Sequence, residues 1–192
     1  MLRLTLLGIC LGTIPLLGAW GSGKFLVPWA DAFSGANPGY KAVTQAIWAG
    51  GAALGSLLGG RLANLLGRRL AYFLISLGSL AVNGGIFRFL DPHSPLFLPA
   101  VFVLGFISTI FFGWLPLYLP ELFPTRVRAT GTGVSYNFGR FASAAGVLGA
   151  GALMQTFGGD YAKVGAVTSL IYALGMVVIW FAPETTGKLR EK

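Results

Sequence analysis

Six long stretches of the 192-residue chain are almost free of charged side chains, and this feature limits its fold more than any other. The stretches cover residues 4–23, 42–60, 70–87, 96–119, 130–157 and 164–182. An α-helix needs roughly 20 apolar residues to cross a hydrocarbon core about 30 Å thick. The pattern therefore predicts six membrane-spanning helices joined by short connections.

Composition agrees with a membrane protein, because 55% of the residues are hydrophobic and only 10% are charged. Soluble domains carry about 25% charged residues. We therefore predict an all-α membrane protein in which residues 1–183 form one six-helix bundle and residues 184–192 form a polar cytoplasmic tail.

Basic residues fall unequally on the two sides of this topology. Nine lie on the side of both termini: Arg3, Arg61, Arg68, Arg69, Arg126, Arg128, Lys188, Arg190 and Lys192. Four lie on the other side: Lys24, Lys41, Arg88 and Lys163. Cytoplasmic loops carry the excess of Lys and Arg, so both termini are predicted to be cytoplasmic. On this topology the net charge of +8 indicates a lipid bilayer, and not a nucleic acid, as the partner of the basic residues. The predicted location is the plasma (inner) membrane.

Two connections on the outer side differ in their expected structure. Residues 24–41 are rich in turn-forming Pro, Gly and Asn, which favours an irregular loop whose middle, residues 25–33, lies at the membrane interface. Residues 91–95 form a short turn. For the N-terminal stretch a secretory signal peptide is the alternative to a first helix, but the small residues that end it make a poor cleavage site.

Reactive side chains are scarce. Cys10 and His93 are the single cysteine and histidine, which excludes an internal disulfide framework, a cysteine-based metal site and a histidine cluster. No zinc motif and no Ser-Lys or Ser-His arrangement is visible within the stretches. The sequence thus predicts no enzyme, no cofactor and no metal.

Residues 60–69 read GRLANLLGRR between the second and third stretches. Gly60 and Gly67 allow a tight reversal with close helix approach, and Arg68 and Arg69 lie at a helix boundary where they can bond carbonyls and carboxylates. This segment resembles the inner-loop signature of the major facilitator superfamily, except that Asn64 replaces the aspartate usual there.

Two further segments carry the same resemblance. Residues 120–131 read PELFPTRVRATG and are similar to the segment between helices ten and eleven of sugar porters and metabolite:proton symporters. Residues 183–188 read PETTGK and are similar to the box after helix twelve of those proteins. The resemblance implies that this chain is the C-terminal six-helix half of such a transporter, which lacks its N-terminal half.

The resemblance also implies a cytoplasmic gate. Its members are Gly60, Asn64, Gly67, Arg68, Arg69, Glu121, Arg126, Arg128 and Glu184. Glu121 and Glu184 are expected within reach of the arginines, and because donors outnumber acceptors, the pairing can change between states. Static snorkelling of the arginines towards lipid headgroups is the alternative.

Arg140 lies near the middle of the fifth stretch, about 16 Å from its start at a rise of 1.5 Å per residue. An arginine at that depth is expected to face the bundle interior or a wet cavity. Tyr136 and Asn137 share its helical face. Two interpretations stay open: a substrate-binding cation, or a structural bond to backbone carbonyls.

Small residues repeat every fourth position on two helices, as Gly51, Gly55 and Gly59 and as Ala142, Gly146 and Ala150. This spacing predicts close helix packing.

The resulting functional hypothesis is half of a secondary active transporter that moves an organic anion or a sugar by alternating access, coupled to an ion such as the proton. The alternative is a truncated or split six-helix membrane protein that does not transport on its own.

Overall fold

The computed structural model describes residues 1–33 and 39–185, and within these ranges the chain is helical with no strand. The α-helices are α1 (Leu2–Leu17), α2 (Leu26–Ala32), α3 (Tyr40–Leu66), α4 (Arg68–Phe89), α5 (Phe97–Glu121), α6 (Arg128–Thr156), α7 (Tyr161–Thr168) and α8 (Ile171–Val178). The polar tail from residue 186 onwards, and the Gly- and Pro-rich middle of the predicted outer loop, lie outside the described residues.

Five helical segments are long and apolar enough to cross a membrane: Leu2–Ala32, Tyr40–Leu66, Arg68–Phe89, Phe97–Glu121 and Tyr161–Phe181. The sixth long helix, α6, has 29 residues, but the glycines, the hydroxyl side chains and Arg140 lower its hydropathy. Large apolar side chains cover the outside of these helices. Leu57 of α3 is 76% exposed and Leu148 of α6 is 78% exposed, which suits a surface that faces lipid and not water.

The predicted irregular loop that begins at residue 24 is partly wrong. The helix that starts at Leu2 continues through a π-helical segment, Gly18–Ser22, and a 3-10 turn, Gly23–Phe25, into α2. Helix α2 is kept helical by packing, since the Trp29 ring stacks on Phe87 with ring centroids 5.3 Å apart and meets Phe97 edge-on at 5.7 Å. Burial of one face of α2 thus outweighs the turn propensity that the sequence pattern suggested.

Helices α3 and α5 are packed backbone to backbone. A Cβ atom added at Gly51, Gly55 or Gly59 would collide with the backbone of α5. The relation is mutual, because a Cβ at Gly105 or Gly113 would collide with the backbone of α3. The predicted packing role of the α3 glycines is confirmed.

Helices α1 and α6 also pack through small residues, and this contact extends beyond the predicted stripe, in which Gly146 lies against α1 and Ala150 is buried. A Cβ atom built at Gly12 would lie 3.3 Å from the carbonyl oxygen of Ser135. A Cβ atom built at Gly139 would lie 3.2 Å from the carbonyl oxygen of Gly12. The small residues of α6 that pack here are therefore Ser135 and Gly139, whereas in the predicted stripe Gly146 meets Leu17. Ala, Gly and Ser are so frequent on α6 that spacing alone does not select the face.

Helices α7 and α8 form one segment that is interrupted at Ser169 and Leu170. The hydroxyl of Ser169 donates to the Ala166 carbonyl at 2.7 Å, and that of Thr168 donates to the Val164 carbonyl at 2.8 Å. Such hydroxyl bonds to the preceding turn compete with the regular ladder and bend helices.

Candidate functional site

All three sequence motifs meet at one end of the bundle, which we call the motif end. It contains the junction of α3 and α4, the link between α5 and α6, and residues 182–185. The first motif is almost wholly helical and not a loop, since α3 ends at Leu66 and α4 begins at Arg68. The reversal falls on Gly67 alone, whose φ of 82° favours glycine.

Arg68 and Glu121 form a buried ion pair between α4 and α5. The Arg68 Nη2 atom lies 2.8 Å from Glu121 Oε1 and Nε lies 3.1 Å from Oε2, which is a bidentate arrangement. Both side chains are less than 10% exposed, at 7% and 9%. The second terminal nitrogen, Nη1, donates to Asn64 Oδ1 at 2.8 Å. Asn64 thus supplies a neutral acceptor where the family has an aspartate.

Glu184 caps the start of α4. Its carboxylate accepts the backbone N–H of Arg68 at 2.7 Å and that of Arg69 at 2.9 Å. The first N–H groups of a helix have no partner within it and carry a partial positive charge, so a carboxylate there is favourable. The segment after the last helix is thereby fixed to the α3–α4 junction.

Three contacts of the motif end were not foreseen from the sequence. The Thr185 hydroxyl donates to Glu121 Oε2, and the Tyr118 hydroxyl donates to the Pro183 carbonyl at 2.8 Å. Arg69 Nε donates to the Ala182 carbonyl at 2.7 Å. The Pro-Glu-Thr motif carried the signal for Thr185, whereas no local pattern marks Tyr118 or the Ala182 carbonyl.

The remaining members of the predicted gate lie further out. Arg126 is exposed, and Arg128 contacts the Phe123 carbonyl at 3.4 Å and the Thr125 hydroxyl at 3.3 Å. Gly60 lies inside α3, away from the reversal. Glu121 and Glu184 thus both lie near inner-loop arginines, as expected. Glu121 contacts the Arg68 guanidinium, and Glu184 contacts the backbone N–H groups of Arg68 and Arg69.

A second candidate site is a cavity of about 530 Å³ at mid-length of the bundle. Its lining comes from α1 and the π-helical segment after it, and from α3, α5 and α6: Leu16, Ala19, Trp20, Trp48, Thr109, Phe112, Tyr136, Arg140 and Ser143. Arg140 is the 13th of the 29 residues of α6. Its side chain is exposed and lines this cavity.

Tyr136 holds the Arg140 guanidinium over its ring, with Cζ 5.3 Å from the ring centroid. A cation over the face of an aromatic ring is attracted by the ring quadrupole. The side-chain nitrogens of Arg140 make no hydrogen bond to the residues that the structure describes. No contact among these residues therefore supports the interpretation that Arg140 bonds backbone carbonyls. Asn137 is exposed and does not line the cavity.

Sequence reasoning missed the aromatic walls contributed by Trp20 and Trp48, and it left the placement of Phe112 open between the cavity and lipid. It also missed Thr109, whose hydroxyl lies 2.9 Å from the Ala52 carbonyl and 2.6 Å from that of Gly105. These residues belong to three different segments, and no local pattern distinguishes an aromatic ring that lines a cavity from one that faces lipid.

Comparison with known proteins finds bacterial transporters. The chain is 33% identical over 145 residues, which is 76% of this chain and 33% of the relative, to the "Probable 4-methylmuconolactone transporter" of Cupriavidus pinatubonensis. It is 26% identical over 186 residues to a metabolite transport protein of Haemophilus influenzae, covering 94% of this chain and 45% of that protein. It is 36% identical over 91 residues, 47% of this chain and 22% of the relative, to the cis,cis-muconate transport protein of Acinetobacter baylyi.

No family model matches the chain. The chain spans less than half the length of each of these relatives. The similarity to metabolite transporters nonetheless runs through most of the sequence, since it covers 76% of this chain in one relative and 94% in another. The chain therefore belongs to the major facilitator superfamily of membrane transporters.

Proposed function

We propose that the chain is the C-terminal six-helix half of a secondary transporter that moves a small organic anion across a bacterial inner membrane by alternating access. The observation that carries the proposal is the Arg140 guanidinium, which lies at mid-length of α6 in an open cavity with aromatic walls. In major facilitator folds the substrate lies near the midplane between two six-helix halves. This cavity is one wall of such a site.

A carboxylate is the solute that this wall suits best. An arginine binds a carboxylate through two parallel N–H donors, and this contact strengthens when water is excluded. The rings of Trp20, Trp48 and Phe112 offer flat apolar surfaces that fit a planar, unsaturated carbon skeleton. Two of the relatives are named for transport of muconate or a methylmuconolactone, which supports this solute class. A sugar is the second candidate.

The motif end acts as the cytoplasmic gate in this proposal. Its orientation rests on the excess of basic residues there, which places both termini in the cytoplasm. The contacts among Arg68, Glu121 and Glu184 join α4, α5 and the segment after the last helix, and their loss would free three elements at once. An exposed ion pair contributes about 0 to 1 kcal/mol to stability. Removal of one partner from a buried ion pair is strongly destabilising, because the other charge is left buried and unpaired.

Coupling to protons is assigned to the other half of the transporter. Glu121, at the end of the apolar helix Phe97–Glu121, is buried, and its carboxylate is bonded to Arg68 and Thr185. The alternative of a split membrane protein without transport activity is less well supported, because the relatives bear the names of transporters.

Binding of cis,cis-muconate to the purified chain, measured by titration calorimetry, tests the role of Arg140. Arg140→Gln should weaken binding roughly 10- to 100-fold, because a hydrogen bond to a charged group is worth about 1.5 to 3 kcal/mol. Arg140→Lys keeps the charge but loses the planar fork, so it should fall between Gln and the wild type.

Asn137→Ala is the matched control, because Asn137 lies on the same helix but outside the cavity. Muconate affinity that is unchanged in Arg140→Gln would overturn the assignment of this residue. Binding of an uncharged sugar in preference to every carboxylate tested would overturn the assignment of organic anions as the solute class and favour sugars instead. Uptake into vesicles that carry the chain with the half that completes it then tests transport itself.

A further inference from the structure

A groove on the lipid-facing side of the bundle has features that helix packing does not explain. It lies between α4 and the α7–α8 segment, has a volume of about 310 Å³, and is lined by Leu80, Ala81, Gly84, Gly85, Arg88, Phe89, Ser169 and Leu170. It is separate from the cavity around Arg140, with which it shares no lining residue.

Two adjacent glycines and a break in the facing helix form the floor of the groove. A Cβ added at Gly84 would touch the Ser169 hydroxyl at 3.7 Å, whereas a Cβ added at Gly85 would meet no atom within 4 Å. A glycine inside a helix costs about 0.8 to 1.0 kcal/mol relative to alanine. Close packing accounts for Gly51, Gly55 and Gly59 of α3, whereas at Gly85, as at Gly151 of α6, no neighbour in the described chain requires a glycine.

One end of the groove carries a cation. Arg88 lies in the last turn of α4, its side chain is exposed, and it makes no hydrogen bond or ion pair within residues 1–33 and 39–185. The nearest acid in sequence, Asp91, accepts the backbone N–H of His93 at 2.7 Å. Arg88 is separated by 20 residues of α4 from Arg68, which at 1.5 Å per residue is about 30 Å, so it lies at the opposite boundary of the bilayer.

We propose that this groove binds an anionic phospholipid from the outer leaflet. Its phosphate contacts the Arg88 guanidinium, and one acyl chain lies along Gly84 and Gly85 against Leu80 and Leu170. Charge complementarity selects the anionic headgroup, since a basic residue at a membrane surface attracts an acidic lipid by about 1 kcal/mol. The proposal rests on insertion of the helices in a bilayer with the proposed orientation, in which both termini are cytoplasmic, and it is independent of any transported solute.

Native mass spectrometry of the purified chain with added phosphatidylglycerol or phosphatidylcholine tests the site. Phosphatidylglycerol should bind more tightly than phosphatidylcholine, and Arg88→Gln should reduce its affinity about fivefold, the equivalent of 1 kcal/mol. Gly85→Leu fills the groove without changing the charge and should reduce binding of phosphatidylglycerol by a similar factor. Gly151→Leu is the matched control, because a Cβ there also meets no atom within 4 Å but lies on α6.

A second measurement does not depend on how the variants fold. Phosphatidylglycerol with a photoactivatable acyl chain should crosslink to peptides that contain residues 80–89 or 169–170 in the wild-type chain. Equal affinity for the two lipids, unchanged binding in both Arg88→Gln and Gly85→Leu, or crosslinks spread evenly over the lipid-facing helices would each overturn the proposal. Muconate binding is measured without added lipid, so failure of this site and failure of the proposed function can be told apart.

Discussion

The buried contacts that hold the two ends of the bundle together differ in kind, whereas the ion pairs of the opposite end, Lys41–Asp31 and Lys163–Asp160, are largely exposed. At the motif end, a buried ion pair and a carboxylate helix cap connect Arg68, Glu121 and Glu184. At the opposite end, the rings of Trp29, Phe87 and Phe97 pack together. Charged hydrogen bonds depend strongly on distance and angle, whereas ring packing tolerates small shifts. The motif end is therefore the end where a small movement changes the bonding pattern.

The largest expected effect is at the buried ion pair. Glu121→Leu leaves the Arg68 guanidinium buried without its carboxylate, which should reduce the free energy of unfolding by about 3 to 5 kcal/mol. The double variant Arg68→Met with Glu121→Leu removes both charges and should recover most of that loss. Thermal unfolding of the purified chain in detergent measures both. A double variant no more stable than Glu121→Leu would show that the charge of Arg68 is not the cause.

The aromatic cluster at the opposite end should respond next. Trp29→Ala removes a ring that is 5% exposed and packs against the rings of Phe33, Phe87 and Phe97. We expect a loss of about 3 kcal/mol, since truncation of a buried aromatic leaves a cavity. Trp180→Ala is the control, because Trp180 is 52% exposed. Equal losses of thermal stability in the two variants would mean that the cluster has no special role.

A smaller effect is expected at the helix cap. Glu184→Gln preserves the shape of the side chain, but an amide offers one acceptor oxygen where the carboxylate accepts two N–H groups. We expect a loss of about 1 to 2 kcal/mol in unfolding free energy. Amide hydrogen exchange at Arg68 and Arg69 should rise at the same time, and unchanged protection of both amides would contradict the capping role.

The smallest effect concerns a helix cap at the opposite end. Asp160 Oδ1 accepts the backbone N–H of Lys163 at 3.0 Å, and this bond lowers the pKa of Asp160 below its usual 3.8. The ionised cap therefore stabilises the fold above that pH, and its contribution is lost as the pH falls through the lowered pKa. Asp160→Ala should cost about 0.5 to 1 kcal/mol at pH 7, and this cost should shrink as the pH falls through the lowered pKa of Asp160. A cost that does not depend on pH would assign it to helix propensity instead.

Sequence patterns located the helices and the motif end well, and the finer geometry less well. Runs of residues without charged side chains indicate membrane-spanning segments directly. Gly67, Glu121 and Glu184 of the motifs occur at or just beyond helix ends, where unpaired backbone groups need partners. Helix α2 escaped prediction because it depends on contacts distant in sequence. The break at Ser169 depends on local hydroxyl bonds, which a search for uncharged runs does not detect. The walls of the Arg140 cavity escaped for the same reason, since its lining residues come from segments far apart in the chain.

The backbone contact between α3 and α5 limits how the chain can recover from mutation. A larger residue at Gly55 would press on the carbonyl group of Phe106, which is present whatever side chain position 106 carries. A cavity-creating change elsewhere on α5 cannot make that carbonyl smaller. A genetic screen for second-site suppressors of Gly55→Val should therefore recover revertants to a small residue, and few or no compensating substitutions at Phe106.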